Sequence, residues 1–314
     1  MNLTSPSQVK AWCIENEFHP NKVLGQNFLV DLNAVRAIVD AGLGESGKVE
    51  RWKGGKVAEE NILEIGPGLG VLTEEMLKRG CRVTAVEKDP ALAARLAESL
   101  GNPPNLTVIA ADALDVIHSI GTSSTPGTSG TSSTPGTSGT SSTSGTFPPF
   151  HLSTFPPFTH MISNLPYQAG TRILLELVQK RTIPAITVLV QTEVAERLAA
   201  GPGSKVRGLA GVWAQLDYDV RIVRKVSASC FWPRPAVGSS VVRLDLHDRS
   251  AGLSEDVRRA FRSVTKRAFE HRRKQLGSVF RDEVVSTARA EDLSNDDWVA
   301  MAQAFAAGQT PFVV

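Results

Sequence analysis

Apolar and polar positions along the 314-residue chain change their period near residue 61. From there, short apolar runs typical of buried strands alternate with segments whose apolar residues recur at helical spacing. The predicted strands lie within NILEIGPGLG, CRVTAVEKD, NLTVIAADAL, HMISNLPY, AITVLVQTE, DVRIVRKV and SSVVRLDLH. This alternation predicts an α/β fold with a largely parallel, Rossmann-like sheet and helices on both faces. Ligands of such sheets bind beyond the carboxyl ends of the strands.

Helical periodicity flanks the alternating region on both sides. Residues 31–43 have apolar side chains at helical spacing and are followed by glycine. The pattern is helical again over 254–280, and a last helix is predicted with its cap near Ser294 or Asn295. We therefore expect a sheet-containing domain over residues 1–246 and a smaller all-helical domain over residues 247–314.

A low-complexity segment interrupts the predicted sheet. The nine residues GTSSTPGTS occur at 121–129 and again at 130–138, without apolar or charged side chains. Such a segment cannot bury enough surface to offset the entropy of ordering, so we expect a disordered insertion over about 121–158. TFPPF occurs twice, at 146–150 and 154–158, either to tether this loop or to dock an extended segment on a partner.

Composition excludes several classes of protein. The three cysteines, Cys13, Cys81 and Cys230, are far apart, so we expect neither disulfides nor a metal site. The N-terminus lacks the apolar core of a secretory signal, and no apolar run is long enough to span a bilayer. These features predict a cytoplasmic protein, with no membrane association, that is a monomer. The net charge of +2 conceals an uneven distribution of basic residues.

A glycine-rich turn follows the first strand of the alternating region. Gly66, Gly68 and Gly70 fall in EIGPGLG, but Val71 stands where a dinucleotide fingerprint has its third glycine. A pyrophosphate is therefore not the expected ligand. The alternative interpretation of the turn by itself is a tight strand–helix connection.

Acidic residues follow the next two strands at the same predicted edge. Glu87 ends the second strand, where a carboxylate can bind both hydroxyls of a ribose. Asp112 ends the third strand, where it can accept a hydrogen bond from an adenine amino group. An adenosyl ligand without phosphates suits this set of groups, and S-adenosylmethionine is such a ligand.

The tetrapeptide Asn164-Leu165-Pro166-Tyr167 ends the next strand. The Asn164 side-chain oxygen and the Leu165 carbonyl can accept the two N–H bonds of an adenine amino group, which would aim its lone pair. Pro166 offers no competing N–H, and Tyr167 can stack on the base. In-line methyl transfer would then depend on positioning and electrostatics. The alternative is an ordinary turn, since asparagine and proline are common there.

Basic residues concentrate near the C-terminus. Arg258, Arg262, Lys266 and Arg273 recur at spacings that suggest one helical stripe, with few acids between them. A solvated helix face is the usual explanation, but such an excess of one sign favours a surface that contacts phosphates. The residues predicted to contact phosphates are Lys205, Arg207, Arg258, Arg262, Lys266, Arg272 and Arg273, and the resemblance described next implies that these are phosphates of RNA.

Together these motifs resemble the small-subunit ribosomal RNA adenine dimethyltransferase family. KVLGQNFLVD is similar to its N-terminal signature, LEIGPGLGVLTE to its cofactor loop and NLPY to its catalytic tetrapeptide. QTEVAERLAAGPGSK, FWPRPAVGSSVVRL and FEHRRKQL follow in matching order. The similarity extends from about residue 20 to 305, except for the insertion.

The resemblance implies a class I methyltransferase sheet and N6,N6-dimethylation of two adjacent adenosines in the 3′-terminal hairpin of small-subunit rRNA, during small-subunit assembly. It implies S-adenosylmethionine as cofactor and a helical domain that binds rRNA. The implied cofactor-binding residues are Asn27, Leu29, Gly66, Gly68, Glu87, Asp112 and Asn164. The implied catalytic residues are Asn164, Leu165, Pro166 and Tyr167, with Phe231 as a second ring against the base.

Departures from the family pattern affect the expected RNA contacts. Gln168 replaces an asparagine, Arg207 stands in a segment without the usual tyrosine and serine, and Gly238 in one without the usual lysine and aspartate. The alternatives are a large-subunit rRNA adenine methyltransferase of the macrolide-resistance type and a non-catalytic assembly or transcription factor. A small-molecule methyltransferase is a third.

Overall fold

A computed structural model describes residues 1–21, 25–44, 60–119 and 157–314. The predicted loop over 44–60 and the insertion over 121–158 lie almost entirely outside the described residues. The first TFPPF repeat also lies outside them.

The described chain contains one large sheet and two small strand pairs. Its strands are β1 (Phe28–Leu29), β2 (Asn61–Ile65), β3 (Arg82–Glu87), β4 (Leu106–Ala110), β5 (His160–Asn164), β6 (Ala185–Gln191), β7 (Tyr218–Val226), β8 (Phe231–Trp232), β9 (Ser239–Leu246), β10 (Val284–Val285) and β11 (Phe312–Val313). The large sheet has the order β4-β3-β2-β5-β6-β9-β7. β9 pairs antiparallel with β6 and β7, and the other pairs are parallel.

Helices connect these strands and form most of the C-terminal region. They are α1 (Pro6–Glu15), α2 (Leu32–Leu43), α3 (Val71–Lys78), α4 (Pro90–Ser99), α5 (Ala113–His118), α6 (Gly170–Lys180), α7 (Thr192–Ala199), α8 (Leu209–Asp217), α9 (Glu255–Glu270), α10 (Leu276–Phe280) and α11 (Asn295–Ala306), with 3₁₀ turns at Ala228–Cys230 and Arg281–Glu283. The predicted α/β class, with a parallel sheet and a helical C-terminal region, is confirmed.

Side-chain caps explain where several helices begin. The Asp31 carboxylate accepts the Ala34 N–H at 2.7 Å, and α2 starts at the next residue. Ser294 and Asp297 form a reciprocal capping box at the start of α11, where the sequence predicts a cap. The predicted helix over 254–280 is divided in two: α9 ends at Glu270, and Gln275, which forms a β-bridge with Arg289, immediately precedes α10.

Helices cover both faces of the sheet. Successive side chains of β2 point to opposite faces and pack against different helices. Ile62 packs on the face that contains Val39 of α2, whereas Leu63 and Ile65 pack on the face that contains Leu174 of α6. Every residue of β2 is buried. This burial on both faces is typical of parallel strands.

A third apolar core belongs to the C-terminal helices. Phe261, Val264 and Ala268 lie on the buried face of α9, as their spacing predicts, and pack in one cluster with Trp298. Val212 of α8 joins the same cluster. The predicted boundary between residues 246 and 247 stays a prediction, because this core draws on residues from both sides of it. No helix in the described ranges is long and apolar enough to cross a membrane.

Candidate active site

The turn between β2 and α3 requires glycine. Gly66, Gly68 and Gly70 have φ angles of 68°, 57° and 88°, which residues with a Cβ rarely adopt. A Cβ on Gly70 would lie 2.5 Å from Leu96 Cδ1, and one on Gly68 would lie 3.1 Å from the Phe28 ring. The turn is thus a close strand–helix connection. The same lack of side chains keeps its backbone accessible from the space beside it.

The Glu87 carboxylate is fixed against this turn. It is the last residue of β3, and its Oε2 accepts the Gly68 N–H at 3.0 Å while Oε1 accepts the Asp89 N–H at 2.8 Å. Burial raises the pKa of Glu87, although these backbone donors act in the opposite direction. Each carboxylate oxygen has a further lone pair, so the group can still accept hydrogen bonds from a vicinal diol.

Asp112 lies two residues beyond the end of β4 and caps α5. Its Oδ1 accepts the Leu114 N–H at 2.9 Å, and its Oδ2 is 2.8 Å from Lys88 Nζ. Burial raises the pKa of Asp112, but the hydrogen bonds from Lys88 and Leu114 outweigh that effect and lower it. The group is therefore a carboxylate near neutral pH and can accept a further hydrogen bond.

Asn164 is the last residue of β5, next to β2. Its Nδ2 donates to the Asn27 carbonyl at 3.2 Å, which fixes the orientation of the amide. Its Oδ1 is buried and has no hydrogen-bond partner among the described residues. A buried acceptor without a partner costs about 1–3 kcal/mol. An acceptor left open in this way is suited to a donor that arrives with a ligand.

Tyr167 is held by its hydroxyl group, which lies 2.6 Å from Ser239 Oγ. The Gly170 N–H donates to the Pro166 carbonyl at 2.7 Å, so the tetrapeptide does form a turn, at the start of α6. A Cβ on Gly25 would lie 3.3 Å from the Tyr167 nitrogen, which shows how closely the N-terminal segment approaches. The turn interpretation and the site interpretation are thus compatible.

These groups share one cavity of about 460 Å³ at the carboxyl edge of the parallel strands. Its walls include all the predicted cofactor-binding residues and the tetrapeptide, namely Asn27, Leu29, Gly66, Gly68, Glu87, Asp112, Asn164, Leu165, Pro166 and Tyr167. This volume lies within the usual range for small-molecule sites. No group of three or more metal-ligating side chains occurs in the described parts of the chain.

Several polar residues of the pocket lie outside the predicted site, and two of them have contacts that shape it. Glu64 is buried in β2 beside the turn. Burial and the charge of Glu87 raise its pKa, and a 2.6 Å hydrogen bond from Thr73 lowers it; the net result is a pKa of about 8. Gln26 donates to Asp89 at 3.0 Å and so joins the N-terminal segment to α4. The acid before the glycine turn is visible in the sequence, whereas nothing in the sequence indicates the contact of Gln26.

Phe231 does not line this cavity, which corrects its prediction as a catalytic-site residue. It is 3% exposed and packs in the apolar core with Leu29 and Val226. β8 pairs with β1, which places Phe231 opposite Leu29. Phe231 is thus a residue of the apolar core in this structure rather than of the cavity wall.

Two predicted RNA-binding arginines are also corrected, because both are buried and paired within the chain. Arg207 is 1% exposed and donates to the Ala200 carbonyl at 3.0 Å and to Asn295 Oδ1 at 2.8 Å. Arg258 is 8% exposed and donates to both carboxylate oxygens of Asp217, at 3.0 and 3.1 Å. Neither guanidinium can reach a phosphate.

The other predicted RNA-binding residues stay predictions, and they differ in exposure and in ion pairing. Lys205, Lys266 and Arg273 are exposed. Arg262 and Arg272 are half-buried and form ion pairs with glutamates at 2.8 and 3.1 Å. The free cations therefore lie toward the C-terminal end of α9 and on the neighbouring loop.

The fold and the pocket together define a class of protein. A seven-stranded, mainly parallel sheet flanked by helices, with a glycine turn and two carboxylates at its carboxyl edge, is the fold of class I methyltransferases. The ribosomal RNA adenine dimethylase family model matches residues 17–304. The chain therefore belongs to the ribosomal RNA adenine dimethylase family, which confirms the family and the enzyme class that the motifs predicted.

Relatives of known name agree with this assignment. The chain is 39% identical over 274 residues to the ribosomal RNA small subunit methyltransferase A of Deinococcus radiodurans, covering 87% of this chain and 76% of the relative. It is 35% identical to the protein of that name from Rhodococcus opacus, covering 92% and 85%.

Two solved structures share the fold. A dimethyladenosine transferase from Plasmodium falciparum has a TM-score of 0.63 at 19% identity, over 88% of this chain and 96% of that one. The 23S rRNA methyltransferase ErmE has a TM-score of 0.56 at 22% identity, over 88% and 98%. At these levels of identity the two structures show the fold that they share with this chain.

Proposed function

We propose that this protein dimethylates N6 of two adjacent adenosines in the 3′-terminal hairpin of small-subunit rRNA, using S-adenosylmethionine, while the small subunit is being assembled. The observation that supports this most directly is the unpartnered, buried Oδ1 of Asn164 in the pocket. The relatives of 33–39% identity bear small-subunit names, which favours that subunit over the large one.

The residues of the pocket fit this cofactor. Glu87 would accept the two ribose hydroxyls, and Asp112 would accept the adenine amino group of the cofactor. Gly66 and Gly68 would let the ligand approach the backbone. When bound, the cofactor would supply an electrophilic methyl group on a sulfonium.

The tetrapeptide would prepare the target amino group. Asn164 Oδ1 and the Leu165 carbonyl would accept its two N–H bonds, which favours a tetrahedral nitrogen with a lone pair free for attack. Tyr167 would stack on the base, and its hydrogen bond to Ser239 keeps the ring in place. Since the methylated nitrogen can lose its proton to water, these residues act by orientation and electrostatics.

The exposed cations near α9 would hold the RNA. Lys205, Lys266 and Arg273 have no ion-pair partner among the described residues, so their charges are available to phosphates. Phosphate contacts fix the register of a protein on a nucleic acid without reading its sequence. Target choice would then rest on the shape of the hairpin and on the pocket.

The test of this proposal is Asn164→Ala. Undermethylated small subunits would be incubated with the variant and S-adenosylmethionine, and the 3′ fragment of the rRNA would be weighed by mass spectrometry. Because one preorganised hydrogen-bonding group typically contributes a factor of about 10²–10³ in rate, we expect methylation to fall at least about 100-fold.

The control is Gln179→Ala on the exposed face of α6, which should methylate like the parent. Small-subunit binding and the calorimetric affinity for S-adenosylmethionine complete the experiment. Equal loss of methylation and of subunit binding in Asn164→Ala would show that the residue is structural. Methylated adenosines in large-subunit rRNA only would refute the assignment of the substrate.

A further inference from the structure

The edge strand β7 ends beside the tetrapeptide. β6 and β7 both run antiparallel to β9, so the carboxyl end of β7 lies at the same edge of the sheet as Asn164. Val226, its last residue, is paired with Ser239, whose Oγ holds the Tyr167 hydroxyl at 2.6 Å. Paired strands are about 4.8 Å apart, so β7 ends roughly one strand spacing from Ser239.

A β-bulge changes the direction of the side chains at this end. The register of β7 against β9 shifts between Ile222 and Arg224, which leaves Val223 as an extra residue. Regular alternation would send successive side chains to opposite faces. The bulged residue Val223 and the next two, Arg224 and Lys225, are exposed in succession. Bulges of this kind occur next to active sites, where they redirect side chains.

The charge of this segment is of one sign. Residues 220–244 contain five basic residues and no acidic one. Arg243 is engaged inside the fold, because it donates to the carbonyls of Ala41 and Gly42 at 2.6 Å. The other four basic residues, among them Arg234, are exposed.

Arg224, Lys225 and Arg234 are available for a ligand. Arg224 and Arg234 form no ion pair with any described residue, and Lys225 is 3.8 Å from Glu196 with 73% of its side chain exposed. Such a surface pair contributes little, at most about 1 kcal/mol. Arg234 follows β8, and the partner of β8 is β1, whose residues line the pocket.

We propose that Arg224, Lys225 and Arg234 form a phosphate-binding rim that holds the RNA strand flanking the target adenosine. The inference rests on the proposed function. An adenosine must leave its stack to enter a pocket, and the neighbouring phosphates then need support close to the pocket. The cations of α9 belong to another part of the chain, so the rim would be a second contact beside the reacting base.

The test compares Arg224→Gln/Lys225→Gln with a control, Lys78→Gln/Arg221→Gln, which removes the same charge. Lys78 lies on α3, and Arg221 lies on β7 before the bulge. Binding of a synthetic RNA hairpin with two adjacent adenosines in its loop would be measured by fluorescence anisotropy from 0.05 to 0.3 M salt. Each phosphate contact to a single strand adds about 0.7 to the slope of log affinity against log salt.

We therefore expect the rim variant to lower this slope by about 1.4 and the affinity at 0.1 M salt by roughly 25-fold. KM for the RNA should rise, with kcat and the affinity for S-adenosylmethionine unchanged. The control should keep the parental slope. An unchanged salt slope in Arg224→Gln/Lys225→Gln, or an equal loss of slope and RNA affinity in the control, would refute the proposed phosphate-binding rim. A parent protein that binds S-adenosylmethionine but methylates no rRNA would instead refute the proposed function.

Discussion

Arg258→Ala tests whether this residue joins the helical region to the sheet or binds RNA. Asp217, at the end of α8, is 4% exposed. Its carboxylate accepts two hydrogen bonds from Arg258 Nη1 and a third from Ser250 Oγ at 2.5 Å. Arg181 Nε lies 2.9 Å from Oδ1, in an ion pair without hydrogen-bond alignment. One buried carboxylate thus binds arginines from α9 and from the end of α6.

The structure gives the size of the expected effect. Removing one partner of a buried ion pair costs about 3–5 kcal/mol, because the other charge stays buried. Arg181 still faces Asp217 in the variant, so we place the loss near the lower limit, at about 3 kcal/mol. At roughly 2–4 °C per kcal/mol, the midpoint of thermal unfolding should fall by about 6–12 °C.

The matched control is Arg259→Ala, one residue along the same helix. Arg259 pairs with Asp256 on the surface, with 70% of its side chain exposed, and its loss should cost no more than about 1 kcal/mol. Thermal unfolding would be followed by circular dichroism, and RNA binding by anisotropy at a temperature where both variants are folded. Equal, small shifts in both variants, or weaker RNA binding by Arg258→Ala without loss of stability, would refute the structural role.

Three further predictions concern the pocket. Folding raises the pKa of Glu64 to about 8, so the folded state favours the protonated carboxyl and the free energy of unfolding should fall as pH rises from about 4.5 to 8. Glu64→Gln should flatten this pH dependence. The same plot of unfolding midpoint against pH for the variant and the parent would contradict the prediction. Gly70→Ala should destabilise by about 1 kcal/mol more than Gly80→Ala in urea unfolding, since both sites have positive φ but only Gly70 meets a neighbour. Tyr167→Phe loses only the hydrogen bond to Ser239, and its methylation rate should stay within about tenfold of the parent's. Tyr167→Ala loses the ring that would stack on the base and should be slower still. Equal methylation rates for the Phe and Ala variants would exclude stacking.

The pocket could be predicted because its parts follow directly from strand order. Gly66, Glu87 and Asn164 are each at or next to the end of a parallel strand, and Asp112 is two residues beyond one. Parallel strands bring their carboxyl ends to one edge, so sequence position alone brings these residues together. Local chemistry then favours the adenosyl ligand proposed above, because glycines, acids and an amide suit such a group.

The basic surface could not be predicted in the same way. Residues four apart on a helix differ by about 40° in direction, so Arg258, Arg262 and Lys266 turn progressively away from the core. Arg258 is accordingly buried, Arg262 half-buried and Lys266 exposed. Which end of the stripe is buried depends on Asp217, 41 residues away in sequence, and no local pattern reveals that contact.

Arg258 and Asn164 show what separates a structural polar residue from a functional one in this chain. Both are at least partly buried, and the sequence identifies both as candidates. The donors of Arg258 are matched by the Asp217 carboxylate and the Ser250 carbonyl, so the fold itself requires the residue. Asn164 lines the cavity and has its donor matched, but its buried acceptor has no partner, at a cost in folding free energy that no contact in the described chain offsets. A donor that comes with a ligand would offset that cost, so the unpartnered acceptor and its place at the cavity together make Asn164 the candidate for contact with the target amino group.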